Sequence, residues 1–114
     1  MNSQDSDTRH NDSIRLEQEM ERVDELKHDL NRWNDQLSFD IQKKRRDLEN
    51  LLSSNLLSAK EHEMILESRE RIMKIERDKE EEFDFHMRNL DNSKEDYLES
   101  KNKLDLESEE NDDR

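Results

Sequence analysis

The chain has 114 residues, of which 27% are hydrophobic, 4% aromatic and 46% charged, with a formal net charge of -13. That is too little apolar material for an ordinary globular core, and the wrong sign of charge for gripping a phosphate backbone, where affinity comes from clustered Lys and Arg. Cysteine is absent, which excludes a disulfide framework, a zinc–thiolate site and a thiol nucleophile.

Residues 1–11 (MNSQDSDTRHN) carry no apolar side chain after Met1. Nothing in them would offset the entropy of ordering, so a disordered polar tail is expected. They also lack the basic start and apolar run of a secretory signal, and no apolar stretch is long enough to span a membrane. An intracellular protein, cytoplasmic or nuclear, without membrane insertion is the expectation. Asp12 or Ser13 suits a helix N-cap, because either side chain can accept a hydrogen bond from a first-turn amide.

From Leu16 to Leu104 one heptad frame fits without insertion or deletion. Its d positions hold Leu16, Val23, Leu30, Leu37, Leu51, Ile65 and Ile72, and its a positions hold Met20, Ile41, Leu48, Phe83, Leu90, Tyr97 and Leu104. An apolar seam repeating every seven residues has to lie against another helix. These residues are therefore the candidate partner-binding seam. Residues 12–53 form the first coiled-coil segment, with Leu26 and Trp33 widening the stripe at g. Lys27 and Asn34 place polar groups at a, where they cost stability and restrict register.

The segment 50–58 (NLLSSNLLS) is the least helical part of the middle, since Ser and Asn compete for backbone hydrogen bonds. Ser58 followed by Glu61 has the form of a capping box, a helix-start signal. Either the helix continues or it breaks near 52–58 and folds back. With no Gly or Pro and the heptad phase kept across the gap, the sequence favours continuation.

Residues 54–104 form the second coiled-coil segment. Over Leu52, Ala59, Leu66 and Met73 the stripe moves to e, a drift that suggests local unwinding or contact with more than one helix. Phe83, Leu90, Tyr97 and Leu104 then restore the a positions, while the d positions Lys79, His86, Ser93 and Ser100 are polar. Residues 105–114 are expected to be an acidic disordered tail.

Lys43, Lys44, Arg45 and Arg46 form the one dense basic cluster, in the pattern of a nuclear-import signal. The same residues also stand at salt-bridge spacings on a helix, Asp40 to Lys44, Lys43 to Asp47 and Arg45 to Glu49. Glu25 and His28 share the spacing of a carboxylate-bridged metal site but have no second pair to complete one. No catalytic residue, cofactor or metal is expected.

At the flanks of the seam, a parallel homodimer would face Asp12 with Glu17 and Glu19 with Asp24, all acidic. The sequence asks instead for a mate with basic flanks around residues 12–24. It reads as all-α: a long amphipathic helix in an extended coiled coil, or two helices, with flexible ends. The expected function is that of a non-enzymatic coiled-coil subunit or adaptor that binds helices of other coiled-coil chains within a larger assembly, heteromeric rather than homodimeric. The alternative is an acidic, partly disordered binder of basic proteins that folds on contact. No direct nucleic-acid contact is expected.

Overall fold

The computed structural model describes residues 3–112, with side chains over 7–107. Two α-helices account for nearly all of it: α1 (Ser3–Leu52, 50 residues) and α2 (Ala59–Asp112, 54 residues). The protein is all-α, and the heptad pattern sits on the helices that it predicts.

The helix breaks where the sequence is weakest, against the continuation that absence of Gly and Pro favours. Serine hydroxyls do the work on both sides of the break. The Ser53 amide and hydroxyl both donate to the Glu49 carbonyl, at 3.2 and 3.0 Å, and the Ser54 amide donates to the Leu51 carbonyl at 3.1 Å, tightening the last turn of α1. The Leu56 amide then donates to Ser54 Oγ at 3.3 Å. Ser58 caps α2: its Oγ accepts from the Glu61 amide at 3.1 Å while its hydroxyl donates to the Glu61 carboxylate at 3.0 Å. No described residue needs a positive φ to make this turn, so glycine is not required.

At the other ends, α1 starts at Ser3 and α2 reaches Asp112, well inside the stretches 1–11 and 105–114 expected as disordered tails. Residues 1, 2, 113 and 114 lie outside the described range. Extending an existing helix adds one hydrogen bond per residue fixed, whereas starting one does not. The cap expected at Asp12 or Ser13 is accordingly not a helix start, and Asp12 instead pairs with Arg15 at 3.5 Å.

The chain divides into two compact units, a terminal unit (Met1–Asp29 with Met87–Arg114) and a hairpin unit (Leu30–His86). In the terminal unit α1 and α2 run antiparallel, as the pairs Glu17–Lys101 at 2.6 Å, Asp24–Lys94 at 2.8 Å and Lys27–Asp91 at 2.6 Å require. Val23 is 6% exposed, and Leu16, Met20, Leu90, Tyr97 and Leu104 are half-buried. In the hairpin unit the two helices are again antiparallel. Ser38 meets Lys79, Arg45 meets Glu76 and Glu49 meets Arg69. Ile41 is 6% exposed there, with Leu30, Leu37, Leu48, Ile65, Ile72 and Phe83 half-buried.

Candidate interaction surface

Antiparallel helices stack a d residue of one against an a residue of the other, and this chain is written for that arrangement. The register set by the ion pairs brings Leu16 level with Leu104 and Val23 level with Tyr97 in the terminal unit. In the hairpin unit it brings Leu37 level with Phe83, while Leu48 and Ile72 line one groove. The polar positions also coincide: Lys27 falls level with Ser93, and Asn34 with His86. The second helix that the seam needs is thus present in the same chain. Among the fourteen seam residues Leu51 is the exception, being 49% exposed at the end of α1.

The basic flanks wanted for residues 12–24 are likewise internal. Lys101 and Lys94 reach Glu17 and Asp24 across the terminal unit. Hydrogen bonding to Lys101, and its charge, hold the Glu17 carboxyl below its ordinary 4.5. The same bond raises the Lys101 ammonium above 10.5, and Asp91 raises Lys27 in the same way. These groups are well hydrated, so salt and solvent screen them heavily.

Among the described residues one charged side chain is buried. Lys79, at a d position, is 7% exposed and donates to Ser38 Oγ at 2.6 Å. It lines a cavity of about 120 Å³ with Ile41, Arg45, Glu76 and Glu80. Two cations and two carboxylates share that space, so the buried amine has polar and charged neighbours beside its Ser38 acceptor. The arrangement is a polar layer in a coiled coil. It offers no nucleophile–base–orienter set and no enclosed substrate pocket.

The basic cluster does not form the ladder that its spacing suggests. Arg45 turns across to Glu76 and Glu49 receives Arg69 at 3.4 Å, while Asp40 accepts instead from the Gln36 amide at 3.4 Å. Lys43, Lys44 and Arg46 remain exposed with no ion-pair partner among the described residues. His10, His28, His62 and His86 are all exposed, and His86 lies edge-on to Phe85 with ring centres 5.5 Å apart. Among the described residues no group of three His, Cys, Asp or Glu side chains could hold a metal ion, and no helix is long and apolar enough to cross a membrane.

What the seam does not consume is a set of large apolar side chains left in water. In the hairpin unit Trp33 is 43% exposed, Met64 57%, Met73 52% and Ile75 52%. Leu26 and Leu98 are 47% and 46% exposed in the terminal unit. The sequence marks Leu26 and Trp33 as a widened stripe and Met73 as part of the stripe that moves to e, whereas Met64 and Ile75 lie off both. Compared with known proteins, the chain matches no family model, no curated protein and no solved structure.

Proposed function

We propose that this protein is a non-enzymatic helical subunit or adaptor, and that it binds helices of other coiled-coil chains in a heteromeric intracellular assembly. The observation that carries this reading is the exposed apolar set that survives after the seam has been used within the chain. Met64 and Ile75 are 57% and 52% exposed in the hairpin unit and, eleven residues apart, share one face of α2, and adjoining apolar exposure on a surface is a mark of a protein contact. Partner binding on this reading uses the flanks of the paired helices, with the seam residues other than Leu51 pairing α1 with α2 inside each unit. The setting on this reading is cytoplasmic or nuclear, and exposed Lys43, Lys44 and Arg46 leave a basic cluster open to import recognition.

The test is to recover the tagged chain from its own cells and weigh what stays with it. A companion at fixed stoichiometry that survives high salt is the expected result, because apolar contacts are not screened. A companion released by salt would favour the alternative, an acidic binder of basic proteins, which the carboxylate excess of the terminal unit supports. No companion at all would remove both.

A further inference from the structure

An open groove between the helices of the hairpin unit has a floor and a rim that differ in character. Leu48 of α1 and Ile72 of α2 line it, together with Lys44, Asp47, Ser68 and Arg71, around a space of about 310 Å³. On α2 the exposed Met64 and Ile75 extend the same wall, since positions 64, 68, 71 and 75 follow one another by four, three and four residues and so share a face. The one hydroxyl on that wall is already engaged, with Ser68 Oγ donating to the Met64 carbonyl at 3.1 Å. What a ligand would meet is an apolar trough.

The charge at the rim selects among occupants. Lys44 and Arg71 stand exposed without an ion-pair partner among the described residues, against the single carboxylate of Asp47. The lining itself thus carries two cations to one carboxylate, in a chain of net charge -13. By contrast Arg45 and Arg69 in the same unit are already neutralised across the helices.

We infer that this groove seats a third helix, supplied by another protein, with an apolar stripe flanked by Asp and Glu. Helix-in-groove recognition reads such a stripe at three- and four-residue steps. Acidic flanks would meet Lys44 and Arg71 as e and g residues meet in a coiled coil. This rests on the partner-binding function proposed above and names the surface and the chemistry of one partner.

The experiment measures binding of two labelled peptides of about three heptads to the full chain by fluorescence anisotropy. Both have Leu at a and d; one has Glu and the other Lys at e and g. The Glu peptide is expected to bind at least ~10-fold tighter, the scale of a few well-placed contacts. M64E and I75E should each weaken it by about tenfold, and K44E with R71E should reverse the preference toward the Lys peptide. Both replaced apolar residues are more than half exposed, so folding should survive, as circular dichroism would verify. Glu81→Ala, on an exposed outer position, should leave binding unchanged.

Equal binding of both peptides, binding of neither, or indifference to M64E and I75E would overturn the assignment. So would self-association of the chain in sedimentation that M64E abolishes, which would make the occupant a second copy. If a stoichiometric companion from cells persists with the groove variants, the groove fails while the adaptor function stands. If wild type brings none, the adaptor function itself fails.

Discussion

The two units are built from the same pair of helices with the same heptad frame, yet they hold together differently. The terminal unit carries 19 of the 33 acidic residues and 9 of the 20 basic ones, and its helices are tied by three partly exposed ion pairs beside a seam in which, among the described residues, Val23 is the one deeply buried side chain. The hairpin unit is closer to neutral, is closed by capped turns, and buries both Ile41 and the ammonium of Lys79. Exposed pairs contribute little to stability but discriminate sharply between alignments, whereas a buried cation penalises every alignment that fails to satisfy it. Register is thus set by charge in one unit and by desolvation in the other.

The contrast is most directly broken at its apolar centres. Ile41→Asp should remove the hairpin unit's stability, because it replaces a 6% exposed side chain by a carboxylate, and the cost of such burial reaches several kcal/mol. Urea denaturation followed by circular dichroism would then lose its cooperative transition. The Ile41→Ala change, by deletion alone, should cost roughly 2–4 kcal/mol.

Removing Ser38 tests the desolvation half. With Ser38→Ala, the Lys79 ammonium loses its 2.6 Å acceptor, and a stranded buried donor costs about 1–3 kcal/mol. Lys79→Met should be neutral or stabilising, and the pair of variants together should behave like Lys79→Met alone. A Ser38→Ala variant as stable as wild type would show that Glu76 and Glu80 hold the ammonium without it.

A smaller gain is expected at Asn34, whose buried Oδ1 has no hydrogen-bond partner. Asn34→Leu should raise stability by ~1–2 kcal/mol by removing an unsatisfied polar group from the seam. The same denaturation curves read it, and a loss of stability would indicate that the amide is satisfied in solution.

The smallest effect separates the units by pH. Glu17 titrates below its ordinary value when folded, so its contribution is present above the unfolded value and is lost as pH falls through the folded one. Lys27 and Lys101 titrate above theirs, so their contribution is complete below 10.5 and is lost as pH rises through the raised values. Protection of the terminal-unit amides, measured against their intrinsic exchange rate at each pH, should therefore fall toward both extremes. Added salt should do the same at neutral pH. An equal response in the hairpin unit would argue against a charge-set register.

Much of this was legible in the residues. The all-α class, the a and d assignments and the Ser58–Glu61 cap follow from spacing alone. The direction of pairing was also present: α1 is consistently apolar at d through Leu37, and α2 is consistently apolar at a from Phe83 onward, a match that only antiparallel layers satisfy. The break was obscured because serines close it, without the Gly or Pro that usually announces a turn. The groove was illegible for a different reason. Met64 and Ile75 lie off the seam, and which off-seam residues line a trough depends on which helix faces which.

The turn has a kinetic consequence. Arg45 and Glu76 are separated by 31 residues, and Asp24 and Lys94 by 70. Each doubling of loop length adds about 0.6 kcal/mol to the entropy of closure, so the shorter connection closes first and the longer pair forms on a chain already folded back. Folding should then start at the Ser58 cap and proceed outward like a zip. Replacing Ser58 by Ala would slow folding, whereas replacing Lys94 would chiefly speed unfolding, a partition that stopped-flow kinetics reads directly.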